Sequence, residues 1–92
     1  MISVIIPAFN VEKPLGACLD ALNAQADAQC EIIVVDDGST DATRAVAETH
    51  HARVIVQPNR GAGAARNAGA QAARGDILLF ADADAIPAAQ WI

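Results

Sequence analysis

The sequence predicts a three-layer α/β domain on a doubly wound, mostly parallel four-stranded sheet in the order 3-2-1-4. Three observations point there. Short apolar runs alternate with segments of helical periodicity, in the order β-α-β-α-β-α-β. The runs are nearly continuous in apolar residues, as in parallel strands covered on both faces. The connections are long enough for right-handed crossovers, which parallel neighbours need. In that order strands one and four lie side by side at the switch point, where open α/β sheets take their ligands.

Ile2-Ser3-Val4-Ile5-Ile6 is β-branched and opens the chain as a buried strand, which Pro7 stops. Phe9 and Asn10 follow at its carboxyl end. From Pro14 the apolar residues Leu15, Cys18, Leu19 and Leu22 fall on one helical face. Pro14 suits a first helical turn, where its missing N–H costs nothing. Glu31-Ile32-Ile33-Val34-Val35 is the second strand and ends in Asp36-Asp37-Gly38-Ser39-Thr40-Asp41. Gly38 supplies a turn, Ser39 or Thr40 is expected to cap the next helix, and Asp41 to complement its dipole. That helix runs to about His50, with an expected face of Ala45, Val46 and Thr49. Arg53-Val54-Ile55-Val56 is a short third strand, broken by Pro58-Asn59-Arg60-Gly61. A third helix, roughly Ala62 to Ala73, is rich in Ala and Gly, which lets it lie close to the sheet. Gly75 is expected as its C′ residue. Ile77-Leu78-Leu79-Phe80-Ala81 then forms the last strand, read as buried.

That last run ends in Asp82-Ala83-Asp84. Two carboxylates this close repel unless a cation or water separates them. A hard divalent ion such as Mg²⁺ takes one or two carboxylates plus substrate phosphates. The D-x-D pattern is common by chance and gains weight from its place at a strand's end; the bland reading is a solvated turn. Asp37 starts the Gly38 turn and is the better ligand candidate of its pair, while Asp36 is a turn residue or cap. Phe9 is one of two Phe in a chain with no Tyr and one Trp. It is a core residue on the bland reading and a ring for a base to stack on in the functional one. Gly61-Ala62-Gly63-Ala64-Ala65-Arg66-Asn67 looks like a dinucleotide fingerprint, yet Arg66 replaces the third glycine and the stretch follows the third strand. It reads as a loosened helix start whose N–H groups and Arg66 face phosphate, the bland reading of Arg66 being a plain surface residue. His50-His51 complements a helix dipole, and Trp91 has no assigned contact.

Composition bounds the rest. Ninety-two residues make one small domain, residues 1–92, and 53% hydrophobic residues make it globular. A net charge of −5 argues against nucleic acid or an anionic membrane surface as partner. Cys18 and Cys30 form no spacing motif and read as reduced thiols. No apolar run approaches the roughly 18 residues of a membrane span, and no basic segment precedes Ile2, so neither membrane segment nor signal peptide is expected. The expected compartment is the cytoplasm.

Together, Val4-Ile5-Ile6-Pro7-Ala8-Phe9-Asn10, Ile33 to Asp41, Gly61 to Gly69, and Asp82-Ala83-Asp84 with Pro87 and Trp91 resemble the nucleotide-binding half of a family 2 glycosyltransferase of the GT-A fold. The resemblance covers nearly the whole chain, with four motifs in order. It implies that Pro7 and Phe9 flank a base and that Asp37 hydrogen-bonds it. It places Arg66 near the base and diphosphate, Asp82 at the ribose, and Asp84 on Mn²⁺ or Mg²⁺. The implied partner is a nucleoside-diphosphate sugar, a UDP-sugar first. Members of that family are much longer, and their second half carries the acceptor site and the base of an inverting displacement. The 92 residues are therefore expected to be a fragment that keeps donor binding without transfer, and to self-associate through the edge of the strand at 77–81.

Two other classes remain open on the residues alone. Val34-Val35-Asp36-Asp37 resembles the acidic pair of a phosphoacceptor receiver domain. Such a domain needs a Lys at a late strand end and opens with its acidic strand; here the one Lys is Lys13 and the acidic strand is second. The other class is a non-catalytic assembly piece with a vestigial site.

Overall fold

The computed structural model describes residues 1–25 and 30–83. Seven elements follow in the expected alternation: β1 (Ile2–Ala8), α1 (Glu12–Gln25), β2 (Cys30–Asp36), α2 (Thr43–Thr49), β3 (Arg53–Val56), α3 (Ala62–Ala72) and β4 (Ile77–Phe80). All pairings are parallel, in the order β3-β2-β1-β4. Ala8 pairs with Asp36, and Asp36 with Val56, so the carboxyl ends of the three strands finish level.

Two apolar layers follow from strand alternation. Val4, Ile6, Ile32 and Val34 face α1 and α2, where Leu15, Cys18, Leu19, Leu22 and Ala47 are buried. Ile33 and Val35 face α3 and meet Ala65. The small side chains of α3 do bring it close. A methyl group built on Gly69 would stand 2.5 Å from Ile5 Cγ2 and 3.2 Å from Val35 Cγ2.

Four local expectations need correction. First, α1 begins at Glu12, so Pro14 is its third residue; the first helical bond is Leu15 N to Val11 O, 3.0 Å, and Pro14 still displaces none. Second, α2 buries Thr43 and Ala47 and half-buries Val46, while Ala45 and Thr49 are exposed. Small residues on both sides leave that helix little periodicity to read. Third, Gly75 is not a left-handed cap. α3 closes on Ala73 in an extended conformation, and Gly75 instead crosses the start of β1, where a Cβ would lie 2.7 Å from Met1 O and from Ser3 Oγ. Fourth, the last strand is not buried. β4 takes the edge position that the order 3-2-1-4 implies, as expected for 77–81, and its run is uncovered there, with Ile77 55% and Phe80 47% exposed. An apolar run alone does not distinguish a covered strand from an uncovered edge.

The amino edge of the sheet is closed by polar groups. Ser3, fully buried, donates from Oγ to Glu31 Oε2 at 2.6 Å and accepts from Gly75 N at 2.9 Å. Arg53 donates to Ala72 O at 2.7 Å and pairs with Glu31 at 3.4 Å. Burial pushes the Glu31 carboxyl up, but the Ser3 hydroxyl, the Arg74 N–H and Arg53 outweigh it and hold it below its ordinary value.

Candidate functional site: a cavity at the carboxyl edge

At the opposite edge, the ends of β1, β2 and β4 and the start of α3 enclose an open cavity of about 240 Å³. Pro7, Phe9, Asp37, Arg66 and Asp82 all line it. These are five of the six site residues expected from the sequence. The sixth, Asp84, lies outside the described residues.

Each wall has a local cause. Pro7 is the penultimate residue of β1, and Phe9 leaves the strand 48% exposed, which rules out a core role. Val11 adds an apolar neighbour to that wall. Ala62, the first residue of α3, and Arg66, one turn later, form the opposite wall. Asp82 follows β4, whose path is held to β1 by Ala81 N donating to Ile5 O at 3.1 Å. Behind Asp82, Ala83 is buried, and the Cys18 thiol lies 3.7 Å from the Asp82 carbonyl oxygen.

The acidic pair divides its work. Asp36 is the turn residue: its Oδ1 accepts from Ser39 N at 3.0 Å, with Gly38 at φ 80° between them. Asp37 is only 4% exposed, and its carboxylate accepts four hydrogen bonds. Oδ1 takes Gln57 Nε2 at 2.8 Å and Arg60 N at 2.7 Å. Oδ2 takes Gly61 N at 3.0 Å and Asn59 Nδ2 at 3.3 Å. The Gln57 amide, the Arg60 N–H, the Gly61 N–H and the Arg60 charge hold its carboxyl below the usual range, against the opposing effect of burial. Asp37 thereby ties the end of β2 to the whole connection from β3 to α3. Sequence reading missed Gln57 and Asn59. Their signal was position: polar side chains directly after β3, beside the strand that ends in Asp37.

The β2–α2 connection also departs from expectation. Ser39 and Thr40 do not cap α2, whose N-cap residue is Ala42, without a side-chain hydrogen bond. They turn to the β1–α1 connection instead. Asn10 N donates to Ser39 Oγ at 2.9 Å, and Thr40 N donates to Asn10 Oδ1 at 2.8 Å. Val11 N donates to Thr43 Oγ1 at 2.9 Å, and Glu12 N to Asp41 Oδ2 at 3.3 Å. The run read as a cap for the following helix caps α1, its neighbour in space. Asp41 also accepts from Thr43 N at 2.9 Å and from the Thr43 hydroxyl.

What this arrangement offers is a mostly apolar cleft with one guanidinium, one exposed carboxylate and a ring at its rim. No cluster of three or more His, Cys, Asp or Glu residues that could hold a metal ion occurs among the described residues. Among them, no helix is long and apolar enough to cross a membrane.

Comparison with known proteins agrees with this fold. Glycosyltransferase GlyA of Streptococcus pneumoniae is 41% identical over 88 residues, which are 90% of this chain and 13% of that protein. Glycosyltransferase AglE of Haloferax volcanii is 35% identical over 99 aligned residues, 99% of this chain and 33% of that protein. Among solved structures, S. aureus TarS in complex with UDP superposes with a TM-score of 0.84 at 34% identity, over 90% of this chain and 27% of that one. Glucosyl-3-phosphoglycerate synthase from Mycobacterium tuberculosis, in complex with Mn²⁺, UDP and glucosyl-3-phosphoglycerate, superposes with a TM-score of 0.84 at 36% identity. That match covers 95% of this chain and 35% of the synthase. The chain thus spans a third or less of the length of these two curated relatives. The family model for glycosyl transferase family 2 matches residues 3–92, and with a Rossmann-like sheet shared with GT-A glycosyltransferases, the chain belongs to that family.

Proposed function

We propose that this chain is the donor-binding part of an inverting glycosyltransferase and holds a nucleoside-diphosphate sugar, a UDP-sugar first, together with Mn²⁺ or Mg²⁺. The observation that carries the reading is the convergence of Pro7, Phe9, Asp37, Arg66 and Asp82, distant in sequence, on one cavity. UDP in TarS and UDP with Mn²⁺ in the synthase support the same ligand class here.

In this reading Pro7 and the exposed Phe9 ring flank the base. Asp37 meets its edge. A carboxylate offers about four acceptor positions, and all are in use; the two side-chain amides, Gln57 and Asn59, are the exchangeable donors. A base N–H takes the place of one of them, while the Arg60 and Gly61 N–H groups keep the loop in position. Arg66 faces the diphosphate, where a planar guanidinium suits phosphate oxygens. Asp82 contacts the ribose. The donor set fits a hard cation: Asp82 is an exposed carboxylate on the cavity, and Asp84, its intended metal ligand, follows two residues later. When bound, such an ion supplies Lewis-acid stabilisation of the leaving diphosphate.

Acceptor binding and the general base belong, in this proposal, to the part of the longer relatives that the chain does not match. The 92 residues alone then bind donor without transferring sugar. Cys18 and Cys30, which form no spacing motif, are read as reduced thiols of a cytoplasmic protein, and the net charge of −5 argues against nucleic acid as a partner. The exposed β4 edge is the surface through which two copies associate. The receiver-like alternative gains nothing from the site: Asp36 and Asp37 are both engaged, and Lys13 sits on α1 instead of at a strand end.

Calorimetric titration of UDP with Mn²⁺ and then with EDTA tests the reading. Binding with Mn²⁺ that weakens at least tenfold in EDTA is the expected result. Equal affinity in both removes the metal, and no heat in either leaves the site vestigial, which is the assembly-piece alternative.

A further inference from the structure

Resting on the donor-binding reading, we infer that Asn10, Ser39, Asp41 and Thr43 form a clasp that positions Phe9 for the base, making them positioning residues for nucleotide recognition. None of the four lines the cavity.

Residues 10, 11 and 12 present three consecutive N–H groups at the entry to α1, where a helix leaves its donors unpaired. Each meets a side-chain oxygen from the β2–α2 segment: Ser39 Oγ, Thr43 Oγ1 and Asp41 Oδ2 in turn. The contact is reciprocal, because Asn10 Oδ1 accepts from Thr40 N. Asn10 adopts φ 51°, a left-handed conformation that Asn tolerates and most residues resist. On the other side of Phe9, Ala8 is 2% exposed, and its carbonyl accepts from Asp37 N at 2.8 Å. Phe9 is therefore an exposed ring on a backbone pinned at both neighbours. Nothing in its own exposure orders it; the clasp does.

Thr43 is the centre of the device. It is fully buried, caps Val11 and donates its hydroxyl to Asp41, which in turn caps Glu12. The Thr43 hydroxyl, followed by the Thr43 and Glu12 N–H groups, holds the Asp41 carboxyl below its ordinary value, against the opposing effect of burial. A single hydroxyl thus couples two connections that meet only because β1 and β2 are neighbours.

Losing the clasp frees one or more residues that binding must order again. Restoring order to one backbone residue corresponds to about a tenfold loss of affinity. The loss falls on the base and spares the phosphates, because the freed ring touches only the base.

The test is calorimetry on the whole chain with UDP and with inorganic pyrophosphate, both in Mn²⁺, beside amide hydrogen exchange of residues 9–12. Thr43→Val removes the hydroxyl at nearly constant volume, and Thr43→Ser keeps it. Asn10→Gly keeps the left-handed backbone and removes the acceptor. The expected result is about tenfold weaker UDP binding for Thr43→Val and Asn10→Gly. Pyrophosphate affinity should stay unchanged, exchange at residues 10–12 should quicken, and Thr43→Ser should restore wild-type values. Full UDP affinity in both weakening variants overturns the clasp alone, leaving donor binding intact. Parallel loss of UDP and pyrophosphate makes Thr43 a purely structural residue and also overturns it. A wild-type chain that binds no UDP overturns the donor-binding reading itself, and the clasp with it.

Discussion

Replacing Asp37 by Asn separates the charge of this carboxylate from its shape. The side chain keeps one carbonyl oxygen, enough for the Gln57 and Arg60 donors. Its new NH₂ group faces two donors, Asn59 Nδ2 and Gly61 N, and loses both bonds. Hydrogen bonds to a charged acceptor contribute about 1.5–3 kcal/mol each, and losses within one cluster do not add fully. Asn59 and Gly61 are exposed, so water takes over part of the loss. A destabilisation of about 2–3 kcal/mol at pH 7 follows, which for a domain of this size lowers Tm by about 10–20 °C. The pH dependence has a definite sign. Asp37 is held below its ordinary value by the Gln57 amide and then by the Arg60 and Gly61 N–H groups. The unfolded chain therefore takes up this proton more readily than the folded one. Its stabilisation is complete above the unfolded value of about 3.9 and is lost as pH falls through the lower, folded value. Urea unfolding of wild type and Asp37→Asn at pH 7, 5, 4 and 3 measures this. The stability gap should be constant from pH 7 to 5 and narrow below about 4. Equal stabilities at pH 7, or a gap that does not change with pH, would refute the assignment of Asp37 as a charged tie.

Three further outcomes follow from the same geometry. Phe9→Ala should weaken UDP binding about tenfold by calorimetry and leave pyrophosphate unchanged, since base stacking on an aromatic ring contributes roughly 1–3 kcal/mol; equal loss for both ligands would return Phe9 to a structural role. Gly69→Ala places a methyl group 2.5 Å from Ile5 Cγ2 and should cost about 1–3 kcal/mol in urea unfolding by forcing α3 off the sheet; an unchanged midpoint would contradict the close packing. The β4 edge, with Ile77, Leu78 and Phe80 exposed and, among the described strands, only β1 beside it, should drive association of two copies, seen as a rise in weight-average mass by light scattering with concentration; a folded monomer at every concentration would remove that proposal.

The fold was legible because its signals are local and repeated. Each strand is a short apolar run, each helix a change of period, and the sheet order follows from right-handed crossovers between them. The cavity was legible for a related reason: Phe9, Asp37 and Asp82 each follow a strand, and all strand ends meet at one edge. What escaped reading was whatever depends on a partner in space. Ser39, Thr40 and Asp41 carry the composition of a helix cap, but composition does not say which helix. Gln57 and Asn59 gain meaning only once β3 is known to lie beside β2. Gly75 has the residue type of a helix C-cap, yet its place is set by the backbone of β1 that it crosses. The apolar run of β4 is expected at the sheet edge, yet its composition alone does not say how much of each side chain is covered.

The central claim is that a nucleoside diphosphate binds at the carboxyl edge of this sheet. Amide chemical-shift mapping of the 92-residue chain, titrated with UDP in Mg²⁺, addresses it most directly. The largest shifts are expected at Phe9, Asp37, Arg60 to Arg66 and Asp82, with Ser3, Glu31 and Arg53 at the amino edge unmoved. Replacing Mg²⁺ by a trace of Mn²⁺ should then broaden Asp82 and its neighbours first. Shifts gathered at the amino edge, or a spectrum unchanged at millimolar UDP, would contradict it.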